Sequence, residues 1–223
     1  MRFIIPKNWK SGEFFALSLI YVIILLNVFV FKDNIWSGLS AFFGITYTFL
    51  AGKGTPRCYL FGISGSGIYG WLAYSNAFWG NLVLYLFYYI PMQIMGYIKW
   101  NNNLKADSKN EIIKTKLPLK EFIILISATF AVSVAAVVIL YILNDKNPII
   151  DGITTIFSIL GMYLTVRRCI EQWVVWALVN GLSAIMWVQI AINGEKVYST
   201  VLMWLVYFIL AFYFYKVWKT EVK

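Results

Sequence analysis

Eight apolar runs, each long enough to cross roughly 30 Å of hydrocarbon as a helix, leave this chain one class of structure. They fall near 14–31, 35–51, 58–75, 79–98, 120–143, 149–166, 171–192 and 197–215. Backbone in hydrocarbon must satisfy every N–H and C=O internally, so each run is expected to be a helix. The breaks carry turn chemistry: Lys32-Asp33-Asn34, then Gly52 to Arg57, Asn144 to Pro148, and Asn193 to Lys196. Charged residues are only 13% of the chain, against about 25% in soluble domains. Little is left for a water-soluble domain. The single long connection, 99–119, is polar and Lys-rich and is expected to need no fold of its own.

Orientation follows from the distribution of Lys and Arg. With the N-terminus inside, sixteen of the nineteen basic residues fall on the cytoplasmic side: Arg2, Lys7, Lys10, Lys53, Arg57, Lys99, Lys105, Lys109, Lys114, Lys116, Lys120, Arg167, Arg168, Lys216, Lys219 and Lys223. The outer loops hold only Lys32, Lys146 and Lys196. Both termini are therefore expected to be cytoplasmic. The net charge of +9 is explained as topology, and no nucleic acid is implied. The basic N-terminus leads into an apolar run without a small-residue cleavage site, so no cleaved signal peptide is read.

Histidine is absent, which removes His-based acid–base chemistry, Ser-His-Asp triads and most metal sites. Cys58 and Cys169 form no CxxC motif and are read as reduced. No carboxylate or base lies deep in a span; Asp151 and Glu171 are at ends, with Glu171 expected to pair with Arg167 or Arg168 or to assist a cation. Ion-coupled carriers generally need an intramembrane carboxylate, so uncoupled movement of a solute is expected. A membrane enzyme would need clustered Asp, Glu or His at one face. The chain is read as no enzyme, with no cofactor and no metal.

The polar residues that do enter the spans form one pattern. Turning 100° per residue from Trp173, the side chains of Trp176, Asn180, Ser183 and Trp187 gather in about one quadrant of the seventh span. Indole faces suit an aromatic or cationic ring, and an amide in hydrocarbon must have a partner. A helix–helix seam is the alternative use of such a face. Span four supplies Tyr89, Gln93, Gly96 and Trp100 on one face, and span eight supplies Trp204 and Tyr207. Trp100 reads as an interface anchor, and Trp71, Trp79, Tyr88 and Trp218 as packing or belt aromatics.

A shift of 114 residues lays Ser37–Ile45 over Asp151–Ile159, Tyr59 over Trp173, Ser66 over Asn180 and Gly67 over Gly181. The expected organisation is an N-terminal segment with an additional helix (1–34), a first three-helix repeat (35–98), the Lys-rich loop (99–119), a connector helix (120–143), a second three-helix repeat (149–218) and a tail (219–223). An inverting connector makes the repeats parallel, the plan of SWEET-type carriers, with the site between the bundles at mid-membrane. The fold class is thus an all-α integral membrane protein of eight transmembrane helices. Gly62, Gly65, Gly67 and Gly70 allow close helix approach.

The pattern Glu171-Gln172-Trp173-x-x-Trp176-x-x-x-Asn180, with Tyr89-x-x-x-Gln93-x-x-Gly96-x-x-x-Trp100 earlier, resembles the PnuC-type vitamin transporters, specifically the nicotinamide riboside carriers. The resemblance covers about 35–218. It implies a homotrimer in the bacterial inner membrane, facilitated diffusion by alternating access, and trapping by a cytosolic riboside kinase. It implies that Trp173 and Trp176 flank the pyridinium and that Asn180 and Gln172 bond the carboxamide or ribose. Gln93 is the matching residue of the first repeat, with Tyr89, Tyr207 and Trp187 beside the site. The chain departs from the pattern in the first repeat, where Tyr59 and Gly62 stand opposite the paired indoles.

The residues agree with such a substrate. A cationic ring suits the Trp pair, and an amide and hydroxyls suit neutral amides. A mononucleotide would want Arg or Lys in the pocket, and none is present. Thiamine or riboflavin on the same fold is the alternative, since indoles do not separate flat rings. A sugar carrier and a purely structural scaffold are weaker alternatives, because neither explains the polar, indole-rich column.

Overall fold

The structure, a computed structural model, describes residues 9–75, 82–106, 110–144 and 147–222. The start of the fourth span with Trp79, the basic residues Arg2, Lys7, Lys109, Lys146 and Lys223, and most of the N-terminal segment lie outside the described residues. Among the described residues eight α-helices are assigned, in order: α1 Ser11–Phe29, α2 Ile35–Gly52, α3 Cys58–Ser75, α4 Ile90–Asn101, α5 Leu119–Ile142, α6 Pro148–Val166, α7 Gln172–Ile192 and α8 Tyr198–Glu221. A π-helical turn, Leu84–Tyr89, leads directly into α4. Among the described residues the only other pairing is two isolated β-bridges.

Six of the eight, α1, α2 and α5 to α8, are each long and apolar enough to cross a membrane. The chain is a multi-pass membrane protein. α3 is less apolar because Gly62, Gly65, Gly67, Gly70 and three serines break its hydrophobic run. Such a helix is suited to close packing rather than to lipid.

The chain packs as two compact units, 1–113 with 190–203, and 114–189 with 204–223. In the first, α1 lies on α2, α2 along α3, and α3 against the π turn and α4. Glu13 in the first turn of α1 accepts the Lys10 N–H and holds Lys53 Nζ at 2.6 Å, both side chains buried. At the opposite end Asp33, also buried, accepts the N–H groups of Asn34 and Ser199, fixing the start of α8 within this unit. In the second unit α5 lies along α6. Phe157, Leu160 and Leu164 of α6 pack with Val175 and Val179 of α7 and with Leu117 and Cys169.

Two helix ends share one device. α2 is capped by Lys53, followed by Gly54 at φ 70°, and α6 is capped by Arg167, followed by Arg168 at φ 64°. The left-handed residue turns the chain back and leaves a carbonyl pointing outward. Each carbonyl is met by the long connection: Ile112 N–H donates to Gly54 O at 3.0 Å, and Thr115 N–H to Arg168 O at 2.9 Å. That connection was expected to need no structure. Its described residues instead form a strap, because the carbonyls exposed at the two turns need donors.

Candidate functional site

The inward face of α7 carries the polar column. Trp173, Asn180 and Ser183 are 3–4% exposed, Trp176 and Trp187 are half-buried, and Val174, Leu178 and Ile185 on the other side are exposed. The two indoles nearest the start of α7 are held differently. Trp176 lies flat on α6: a Cβ at Gly161 would come within 3.0–3.2 Å of three of its ring atoms. Its Nε1–H donates to Thr165 Oγ1 at 3.0 Å, and that hydroxyl donates to Gly161 O at 2.8 Å. One indole face is thus covered by bare backbone, and the edge is pinned by a threonine.

Trp173 packs on two rings of α8, tilted on Phe214 with centroids 5.4 Å apart and edge-on to Trp218 at 5.5 Å. Its Nε1–H is buried without an acceptor among the described residues. Indole N–H groups in protein interiors usually find one. The Nε1–H groups of Trp187 and Trp204 are buried in the same way, and Trp204 meets Tyr207 edge-on. Gln172 is 1% exposed, and its Nε2–H donates at 2.9 Å to the Cys169 carbonyl of its own turn.

The first unit holds a second constellation. Gln93 is 4% exposed and pairs with Ser66 of α3, Nε2 to Oγ at 3.0 Å and Oγ to Oε1 at 3.3 Å. Beside them a Cβ at Gly62 would meet the Tyr47 ring at 2.8 Å and Gln93 Cδ at 3.2 Å. One turn away Tyr59 packs edge-on to Trp100 at 5.1 Å, both fully enclosed, with its hydroxyl end over Gly96. Trp100 is thus a core residue rather than an interface anchor. Tyr89 ends the π turn; it packs on Tyr85, which stacks on Tyr69 at 4.4 Å. Sequence periodicity did not foresee the π turn, Thr165 or Gly161. Only the glycine spacing hinted at close approach.

Two contacts of the first unit have counterparts in the second. Tyr47 over Gly62 and Gly161 under Trp176 are the same helix gap filled from opposite sides, at residue numbers 114 apart. Tyr59 on Trp100 and Trp173 on Phe214 are also 114 apart. All the polar groups named on these faces are neutral: amides, hydroxyls and indole N–H groups.

Residues 34–220 match the family model described as nicotinamide mononucleotide transporter. The chain belongs to this family, the PnuC-type carriers. A nicotinamide riboside transporter PnuC of Neisseria mucosa is 30% identical over 201 residues, 88% of this chain and 76% of that protein. One of the same description from Haemophilus influenzae is 28% identical over 219 residues, 97% of this chain and 93% of its own. A solved structure, described as the crystal structure of the vitamin B3 transporter PnuC, superposes with a TM-score of 0.85. That match is at 26% identity and covers 98% of this chain and 94% of that one. The protein is a membrane transporter and not an enzyme. Among the described residues no group of three His, Cys, Asp or Glu is placed to hold a metal.

At the turn into α7 the carrier departs from expectation. Arg167 Nη1 donates to Glu121 at 2.7 Å and to Tyr163 at 2.9 Å, so Arg167, one of the two arginines expected to pair with Glu171, serves Glu121 instead. The Glu121 carboxylate raises the Arg167 pKa, and burial lowers that of Arg168. Glu171 is buried; Oε1 accepts the Leu117 N–H at 3.1 Å, and Oε2 has no partner among the described residues. Cys169 is a free, buried thiol whose pKa burial pushes up, so it is inert rather than a nucleophile.

Proposed function

We propose that this protein carries nicotinamide riboside into the cell by facilitated diffusion. The observation that carries the reading is the α7 face: two indoles, one with an unpartnered donor, beside a nearly enclosed amide and no charged group among the residues of the column. A delocalised pyridinium gains roughly 0.5–2 kcal/mol against each indole face it meets. Neutral donors and acceptors suit a carboxamide and a sugar. The family description names the mononucleotide and the relatives' descriptions name the riboside. The neutral side chains favour the riboside, because a phosphate would call for Arg or Lys.

In this reading the two units are copies of one repeat, supported by the helix gaps and ring pairs that recur 114 residues apart. Alternating access is the proposed mechanism, with trapping by a cytosolic riboside kinase. The proposed binding residues are Trp173, Trp176, Asn180 and Gln172, with Gln93, Tyr89, Tyr207 and Trp187. The protein would sit as a homotrimer in a bacterial inner membrane.

The test is calorimetry on the purified carrier with nicotinamide riboside, nicotinamide mononucleotide and thiamine, repeated on Trp173→Ala and Asn180→Ala. Riboside alone should bind, and both substitutions should weaken it by tenfold or more, about 1.4 kcal/mol. Binding of thiamine instead would move the assignment to another aromatic vitamin on the same fold. Proteoliposomes without any ion gradient should take up riboside to equilibrium; uptake that requires a gradient would overturn facilitated diffusion.

A further inference from the structure

We infer that Tyr59 is a substrate-binding residue of the first unit, its phenol O–H donating to an uncharged oxygen of the solute, a hydroxyl or an amide carbonyl. The inference rests on the riboside reading above. Tyr59 is fully buried, and its hydroxyl has no partner among the described residues. A phenylalanine would fill the same space against Tyr47 and Trp100 without burying an unpaired polar atom. Packing therefore does not account for the hydroxyl, since an unmade hydrogen bond in an apolar interior costs free energy.

The surroundings set the phenol in the same seam as the Gln93 amide. The hydroxyl end lies over Gly96, where any Cβ would overlap the ring. Gly96 is one turn along α4 from Gln93, and Tyr59 is one turn along α3 from Gly62, whose absent side chain leaves the Gln93 amide its place. The phenol and the Gln93 amide thus occupy successive turns of one seam. The position 114 residues on is Trp173, also enclosed and also carrying an unpartnered donor, Nε1–H. Phenol and indole differ in shape and size. What the two positions share is a hydrogen-bond donor on an aromatic ring, with no acceptor among the described residues and an aromatic partner from the following helix. Each unit so contributes one such donor, and the first unit's is Tyr59.

The test is Tyr59→Phe in the full-length purified carrier, which deletes the hydroxyl and nothing else. Two quantities are measured: the melting temperature without ligand, and the Kd for nicotinamide riboside by calorimetry. The expected result is an unchanged or raised melting temperature with a Kd roughly three- to tenfold weaker, the loss of one neutral hydrogen bond. An unchanged Kd overturns the inference and leaves the hydroxyl as a packing defect. A melting temperature lowered by several degrees also overturns it, since the hydroxyl would then be holding the fold. Failure of the unsubstituted carrier to bind riboside would instead defeat the transport reading, and this inference with it.

Discussion

Gly161 and Thr165 decide what Trp176 can do. The glycine lets the indole lie against the α6 backbone, and the threonine hydroxyl fixes its edge. Thr165→Val keeps shape but removes the acceptor, leaving the Nε1–H unpaired at a cost of about 1–3 kcal/mol. The expected outcome is a lower melting temperature and several-fold weaker riboside binding, with Thr165→Ser restoring both. If Val and Ser behave alike, the hydroxyl does not position the ring. The sequence made Trp173, Trp176 and Asn180 legible because helical spacing puts them on one face. It could not show that Trp176 is pinned and Trp173 is not, because both partners come from other helices. It misassigned Trp100 for the same reason: an indole near a helix end suits an interface or a core equally, and only the Tyr59 ring decides.

Among the elements, the π turn at 84–89 sets the register of the first unit's constellation. Gln93 meets Ser66 and Tyr85 meets Tyr69, so Tyr85 and Gln93 must face α3 together. Eight residues at 100° each would leave them about 80° apart; one residue absorbed by the π turn brings them within about 20°. Deleting Phe87, a largely exposed residue of that turn, should restore α-helical spacing and cost at least about tenfold in riboside affinity, 1.4 kcal/mol. Phe87→Ala, which keeps the residue count, should bind as the parent does. Equal binding by the deletion would show that register is set elsewhere. No residue type marks a π turn, so the run from Leu84 to Tyr89 reads as ordinary apolar helix. The strap formed by 103–106 and 110–117 was hidden for a related reason. Its polar sequence reports solubility, while its order comes from the carbonyls of two distant turns and from Lys114 lying over Trp218 and bonded to Glu221.

For the whole molecule, the distribution of basic residues makes orientation a sharp expectation. A C-terminal green fluorescent protein fusion should fluoresce, and a C-terminal alkaline phosphatase fusion should be silent; the reverse pattern would invert the topology. The chain by itself determined its class, its spans and the polar face of α7. Burial in hydrocarbon demands long apolar helices, and a polar residue inside one must be used. A shift of 114 residues suggested a repeat, and the ring–glycine contacts of the two units recur at that spacing. Tertiary structure alone decided how each gap between helices is filled: Tyr47 reaches over Gly62 in the first unit, whereas Trp176 lies over Gly161 in the second. An aromatic ring and a glycine close the same gap whichever helix carries which. A pattern read along one strand of sequence gives the residues their faces, and only the packed neighbour shows which polar atoms the protein leaves for a ligand.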